Sequence, residues 1–106
     1  MKTWIQRGLV AAAATLALSA GAQDVTLKFH HIWNPQAMAS QRVITPWCDK
    51  VAAESNNRLK CQIFPAMSLG GTPPQLVDQV RDGVTDLTIT LPGYTAGRFP
   101  MMEVFE

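Results

Sequence analysis

The chain has 106 residues, of which 47% are hydrophobic and 16% are charged, so it holds one ordinary domain at most and has the composition of a globular protein. Nine Lys and Arg residues against eight Asp and Glu residues give a net charge of +1, which provides no basic field for a nucleic-acid partner. Two cysteines are too few for a disulfide framework, and no apolar run reaches the roughly 18 residues of a membrane-spanning helix.

The first 22 residues have the pattern of a secretory signal peptide. Lys2 and Arg7 form a basic segment, residues 8–18 are mainly apolar, and Ala20-Gly21-Ala22 has the small-residue spacing of a cleavage site. An N-terminal membrane anchor is the alternative, but the apolar stretch is too short for one. We expect cleavage after Ala22 and export to a bacterial periplasm.

A strand followed by a helix is predicted at the start of the mature chain. Residues 24–30 alternate apolar and polar side chains, which is the period of a half-buried strand. From about Gln36 to Ser55 the apolar residues recur at three- and four-residue spacing, which indicates a helix. Pro46 lies inside that run and predicts a kink or a restart. Asn56-Asn57 is suited to a left-handed helix stop.

A second strand and a second helix follow. Residues 59–64 alternate again and end at a proline. Thr72 is predicted to cap the next helix, with Pro73 at its first position and Gln75 completing a capping box. Gly83 is predicted to close this helix.

A third strand is predicted over residues 86–91, and residues 94–106 are loop-like with an apolar end. The order β-α-β-α-β predicts a parallel sheet with helices on its faces. Three strands and two helices make a small core, so the pattern indicates only part of such a sheet. Loops after the carboxyl ends of the strands form the usual ligand crevice, and here they comprise residues 31–34, 65–72 and 92–97.

Six segments of the mature chain occur in order in one known family. They are Leu27-Lys28-Phe29-His30-His31, Pro46-Trp47-Cys48-Asp49-Lys50-Val51, Arg58-Leu59-Lys60, Leu69-Gly70-Gly71-Thr72-Pro73-Pro74-Gln75-Leu76, Arg81-Asp82-Gly83-Val84-Thr85-Asp86 and Leu91-Pro92-Gly93-Tyr94-Thr95-Ala96-Gly97-Arg98-Phe99-Pro100. Together they make the chain resemble the N-terminal part of the solute-binding proteins of TRAP transporters, the DctP-like family. The resemblance covers essentially all of the mature chain.

This resemblance implies a fold and a function. Residues 23–106 are expected to form the truncated first part of one lobe of the periplasmic-binding-protein type, α/β with a parallel and incomplete sheet. Members of the family have two such lobes and capture a small organic anion, usually a carboxylate such as a dicarboxylate, between them. The closed receptor delivers it to a TRAP membrane permease driven by an ion gradient. The resemblance implies a transport receptor and not an enzyme.

The family's carboxylate-clamping arginine belongs to the second half of the full-length chain. The resemblance assigns Arg98 instead to the Gly-Arg-Phe-Pro motif of the first lobe. Arg98 is therefore not a candidate for the clamping role.

Candidate ligand contacts lie in the three predicted loops. An imidazole and an indole can hydrogen-bond to and stack on an organic anion, a glycine turn before a helix offers backbone N–H groups, and a phenol suits a carboxylate with an apolar body. The alternatives are packing within the lobe, a local turn bond and simple helix capping. The candidates are His31, Trp33, Asn34, Gly71, Thr72, Thr90, Leu91 and Tyr94.

The cysteines and histidines allow further chemistry. Cys48 on the first helix and Cys61 on the second strand both face the predicted core, and an exported protein permits a disulfide between them. Disulfide geometry is demanding, so a bridge and two buried thiols both stay open. His30 and His31 are adjacent on a strand and point to opposite faces, so we expect no metal site.

Two other functions stay open beside the leading prediction of a TRAP receptor for a small organic carboxylate, without cofactor or nucleic-acid partner. One is a small periplasmic α/β thiol protein that uses Cys48, Cys61 and His31, although no orienting third group is evident. The other is a non-functional truncated remnant, because apolar surface that later strands normally cover would be exposed.

Overall fold

Residues 21–102 and 104 are described by the computed structural model. They contain three strands and two α-helices in the predicted order, namely β1 (Val25–His31), α1 (Thr45–Glu54), β2 (Leu59–Phe64), α2 (Leu76–Arg81) and β3 (Leu87–Ile89). The predicted signal peptide lies almost wholly outside the described residues. None of the helices in the described part of the chain has the length and apolar character needed to cross a membrane.

The three strands form one parallel sheet in the order β2-β1-β3. In the central strand, Phe29 pairs with Ile63 of β2 on one side and with Leu87 of β3 on the other. The predicted parallel, incomplete α/β sheet is confirmed. β3 is shorter than the predicted 86–91, because after Ile89 the chain leaves the sheet to enter a 3₁₀ turn.

The two helices cover opposite faces of this sheet. Phe29 of β1 forms a buried core with Ile44 and with Cys48 of α1. The next residue, His30, points to the other face, where its Nδ1 lies 2.6 Å from Oε1 of Gln79 in α2. Consecutive strand residues alternate between faces, so α1 and α2 sandwich β1.

The first helical segment starts later than the predicted Gln36 and changes its winding along the way. A π-helical turn (Ser40–Ile44) leads directly into α1, in which Pro46 lies in the first turn. Proline has no N–H, so it cannot donate a hydrogen bond to the preceding turn. The change from π-helical to α-helical winding at Pro46 therefore breaks no backbone hydrogen bond. The predicted restart at Pro46 is confirmed.

The predicted helix ends are also confirmed. Asn56 and Asn57 adopt φ values of 54° and 61°, in the left-handed region, just after α1. Gly83 has φ 77° after α2, and its N–H donates to the carbonyl of Val80 at 3.1 Å. Asparagine and glycine tolerate this conformation better than other residues, so these local signals are visible in the sequence.

A disulfide joins the first helix to the second strand. Cys48 of α1 and Cys61 of β2 are bonded, with their Cα atoms 5.6 Å apart. Cys48 is 6% exposed and belongs to the buried core, and Cys61 packs against that core. Of the two possibilities left open by the sequence, the structure has the bridge.

Candidate ligand-binding site

The carboxyl ends of β1 and β3 lie side by side at a crossover point of the sheet. From β1 the chain runs through α1 to β2 on one side, whereas from β2 it passes through α2 to β3 on the other side. In open α/β sheets, small molecules bind outside the carboxyl ends of strands at such a point. His31 at the end of β1 pairs with Ile89 at the end of β3. The topology therefore favours a site beside these two residues.

The loop between β2 and α2 reaches the same place. The N–H of Ala66 donates to the carbonyl of Trp33 at 2.9 Å, and the N–H of Met67 donates to the carbonyl of His31 at 3.0 Å. Ala66 and Met67 have φ values of 51° and 55°, a left-handed conformation that costs a residue with a side chain about 1 kcal/mol or more. Two hydrogen bonds, one to the last residue of β1 and one to Trp33 just after it, hold the loop in this conformation. Two of the three predicted crevice loops therefore meet at His31, and the third follows β3, whose last residue pairs with His31.

His31 is not in a loop at the mouth of the crevice, as the sequence pattern predicted. It is the last residue of β1 and is 0% exposed. Its ring packs edge-on against Phe29, with 5.9 Å between ring centroids, and lies 6.0 Å from the ring of Trp33. The prediction of its placement was wrong because pairing with Ile89 of β3 extends β1 by one residue.

Neither ring nitrogen of His31 has a hydrogen-bond partner among the described residues. Burial lowers the pKa of His31 and the neighbouring His30 lowers it further, whereas a contact with the Trp33 backbone, which does not meet the distance and angle of a hydrogen bond, opposes the shift. The ring is therefore neutral near pH 7 and carries one unpaired donor and one unpaired acceptor. A buried polar group without a partner costs about 1–3 kcal/mol, so a polar partner at this position is favourable.

Thr90 provides a second unpaired polar group at the same edge. It follows Ile89 directly, and its Oγ1 is buried without a hydrogen-bond partner among the described residues. Thr85 has the same property, but it precedes β3 and so lies at the opposite end of that strand. Of the buried side-chain polar atoms that lack partners in the described chain, those of His31 and Thr90 share one sheet edge.

His30 forms a hydrogen-bond network on the α2 face that the sequence did not predict. The N–H of Leu69 donates to Nε2 of His30 at 3.3 Å, so Nδ1 carries the proton and donates to Oε1 of Gln79 at 2.6 Å. Nε2 of Gln79 then donates to the carbonyl of Gly70 at 3.0 Å. His30 therefore ties β1 to α2 and to the loop before it. No cluster of three or more potential metal ligands converges in the part of the chain that is described.

Gly71 and Thr72 lie on this loop and are occupied by local contacts. The N–H of Thr72 donates to Oε1 of Gln75 at 2.8 Å, which forms the predicted capping box at the start of the helical segment. Gly71 has φ +87°, and a Cβ there would lie 2.8 Å from Nε2 of Gln79. Glycine is favoured at this position by its left-handed backbone conformation, which accounts for it without a ligand.

The remaining candidates surround the edge. Trp33 packs partly buried against the core. Asn34 accepts the N–H of Gln36 on its Oδ1 at 2.9 Å, which is the local turn bond that the sequence offered as its alternative role. Leu91 and Tyr94, after β3, are 51% and 41% exposed. The structure thus places His31 and Thr90 at the carboxyl ends of two neighbouring strands and leaves the Leu91 and Tyr94 side chains, after β3, accessible.

An apolar cavity of about 270 Å³ lies next to this edge, on the α1 face. Phe29 of β1, whose ring packs against His31, and Ile89 of β3, which pairs with His31, both contribute to it. The remaining lining residues are Val43, Ile44, Trp47, Leu87 and Thr88.

Residues 29–106 match the family of bacterial extracellular solute-binding proteins, family 7 (DctP). The chain belongs to this family. The predicted resemblance is confirmed, since the DctP match spans the two α-helices and most of the strands described above. DctP proteins are solute-binding receptors and not enzymes, and they are extracytoplasmic.

Two solved structures of TRAP solute-binding proteins are similar to this DctP chain. One, from Rhodoferax ferrireducens T118 in complex with copurified benzoate, is 55% identical and has a TM-score of 0.75, with 77% of this chain and 26% of that chain covered. The other, from a marine metagenome, is specific for aromatic acid ligands and was crystallised with 3-hydroxybenzoate. It is 55% identical with a TM-score of 0.77, and 79% of this chain and 26% of that chain are covered.

A further relative is the outer membrane transporter protein TsaT of Comamonas testosteroni. It is 29% identical over 91 residues, which are 86% of this chain and 26% of TsaT. The chain therefore spans about a quarter of the length of the relatives that it matches.

Proposed function

We propose that this chain contributes to the receptor of a TRAP-type secondary transporter and that the receptor captures a small aromatic carboxylate. The observation that carries the proposal is that His31, the last residue of β1, and Thr90, the residue after β3, both have buried polar atoms without partners in the described chain, at the carboxyl ends of two neighbouring strands. Two relatives at 55% identity support this ligand class, because one was crystallised with benzoate and the other with 3-hydroxybenzoate.

The chemistry of the site suits capture and release of an anion. A carboxylate that leaves water needs hydrogen-bond donors, and the neutral imidazole of His31 and the hydroxyl of Thr90 each supply one. The accessible Tyr94 ring and the Trp33 indole supply apolar faces for an aromatic body. Receptor binding breaks no covalent bond, so the site needs complementarity to the ligand and no nucleophile.

We also propose where the receptor works and with which partner. The signal pattern supports cleavage after Ala22, which leaves residues 23–106 and any following segment in the periplasm. Membership of the DctP family supports a TRAP membrane permease as the partner that accepts the released carboxylate.

A ligand panel tests the proposed function on the protein produced from the complete reading frame. Benzoate and 3-hydroxybenzoate are expected to raise the melting temperature, since a ligand at 100 times its Kd stabilises the folded state by about 2.7 kcal/mol. Benzamide has the ring without the charge, and succinate has the charge without the ring. A shift with succinate and none with the aromatic acids would contradict the aromatic class.

Two threonine variants locate the site. Thr90→Val removes the unpaired hydroxyl without changing the side-chain shape, so it should weaken benzoate binding about 5- to 150-fold, as measured by calorimetry. Thr85→Val removes the other unpaired hydroxyl of this kind, at the opposite end of β3, and should bind benzoate like the parent protein. Equal affinities for the two variants would exclude Thr90 from the site.

A further inference from the structure

We propose that carboxylate capture is coupled to proton uptake at His31, an inference that rests on the proposed function and adds its regulation by pH. The position and surroundings of the His31 ring are the basis for this proposal. His31 is 0% exposed, lies at the edge where β1 and β3 end, and has two ring nitrogens without hydrogen-bond partners in the described chain. A ring in this position accepts a proton only when something compensates the buried charge.

A bound carboxylate supplies that compensation. The neutral ring offers one N–H donor, whereas the protonated ring offers two donors and a positive charge. A charge-assisted bond to a carboxylate is roughly twice as strong as a neutral one. Binding of the anion therefore favours the protonated ring, and protonation of the ring favours binding of the anion.

No other cationic side chain at this edge of the described chain is free for the same role. His30 has both nitrogens engaged, by Gln79 and by Leu69, on the opposite face of the sheet. Arg98 donates to Oδ1 of Asp78 at 2.9 Å. Arg42, on the π-helical turn before α1, is exposed to solvent.

The segments that meet at His31 add few other titratable groups. His30 is the only ionisable side chain whose charge shifts the pKa of His31 within the described residues. The loop before α2 contacts this end of β1 through Ala66 and Met67, whose side chains do not titrate, and the segment after β3 contributes Tyr94. Proton uptake on binding is therefore assigned to the imidazole.

The sign of the pH dependence follows from linkage. Burial lowers the pKa of His31 in the free protein, and a nearby carboxylate raises the pKa of the same ring in the complex. Between these two pKa values the complex holds more protons than the free protein does. Affinity for an ionised carboxylate therefore increases as the pH falls through this window and becomes constant below it.

Calorimetry of benzoate binding tests the coupling. The titration is repeated at one pH in buffers with different enthalpies of ionisation, and the slope of observed enthalpy against buffer enthalpy gives the number of protons taken up. We expect uptake of a fraction of a proton, up to about one per ligand, because one group is involved. Benzenesulfonate, whose charge does not depend on pH near neutrality, should show the same uptake if it binds, since the proton goes to the protein.

His31→Gln is the matched variant, because it keeps a hydrogen-bond donor and cannot titrate near neutral pH. It should bind benzoate with no dependence of enthalpy on buffer and with a flat pH profile. Uptake that persists in His31→Gln would assign the proton to another group and overturn the inference. The ring-nitrogen NMR shifts of His31 in the unsubstituted protein, with and without benzoate, provide a measurement that does not depend on how the variant folds.

The remaining outcomes separate this inference from the proposed function. Benzoate binding without proton uptake overturns the coupling and leaves the receptor function intact. Absence of binding by every aromatic carboxylate in the panel overturns both.

Discussion

Gln79 connects three segments that are distant in sequence. Its Oε1 accepts the proton on Nδ1 of His30, and its Nε2 donates to the carbonyl of Gly70. His30 is 0% exposed, so its hydrogen bonds are shielded from water. The unusual backbone at Gly70 and Gly71, with φ values of 84° and 87°, is held next to β1 by this amide together with the Leu69 N–H bond to His30.

Gln79→Leu therefore leaves the Nδ1 proton of His30 without a partner. We expect the free energy of unfolding to fall by about 1–3 kcal/mol, which is the cost of an unpaired buried polar group, in chemical denaturation. Amide exchange at Leu69 should accelerate as well, because its acceptor is the same imidazole. Gln41→Leu is the control on an exposed glutamine and should change stability by less than about 0.5 kcal/mol. Equal effects of the two variants would contradict a structural role for the network.

Helices and strands were predictable from the sequence where local backbone chemistry sets them. The capping box of Thr72 and Gln75, the left-handed Asn56 and the closing Gly83 each act within a few residues, so their signals are complete in the sequence. The shortened β3 depends on where the chain leaves the sheet, which is a property of the folded structure.

Some features of the candidate site were also predictable from the sequence, and others depend on the folded structure. Strand order predicted which loops meet, because the carboxyl ends of parallel strands lie at one edge. The sequence could not show that the burial of His31 depends on pairing with Ile89, or that His30 binds Gln79 across 49 positions. Which polar atoms are left without partners is fixed only when the whole lobe is packed.

The link between α1 and β2 depends on the disulfide in a small core. A bridge that closes a loop of 13 residues restricts the unfolded chain and contributes about 3 kcal/mol in the chain-entropy account. Its sulfurs are part of the packed core, with Cys48 only 6% exposed. A structural bridge is therefore a better interpretation of this cysteine pair than thiol chemistry with His31, because exchange requires access to a sulfur.

Two double variants separate the covalent link from the packing. Cys48→Ala/Cys61→Ala removes both, whereas Cys48→Val/Cys61→Val removes the bond and refills most of the volume. We expect the valine variant to lose about 2–4 kcal/mol of unfolding free energy and the alanine variant to lose more, because it also leaves a cavity. Thiol titration of the unfolded parent protein should find reactive thiols only after reduction. Valine variants as stable as the parent would show that the bridge contributes nothing.

At the scale of the whole described chain, several large apolar side chains are exposed to water. Val43 is 53% exposed at the rim of the cavity beside β3, and Val84, Leu91 and Met102 are also more than half exposed. Soluble monomers rarely leave large apolar surfaces open to water. The chain spans about a quarter of the length of its relatives, and we expect any further segment of the complete protein to pack on the cavity face.

A charged side chain at the rim of the cavity tests whether the cavity face is buried in the complete protein. In the protein from the complete reading frame, Val43→Lys should reduce the unfolding free energy by about 2 kcal/mol or more, because an unpaired ammonium is then forced into an apolar contact. Met38→Lys is the matched control, since Met38 is 74% exposed and does not line the cavity, and it should stay within about 0.5 kcal/mol of the parent. If both lysine variants remain within that limit, the cavity face stays in water in the complete protein. Its apolar side chains would then form a surface patch and not an unfinished core.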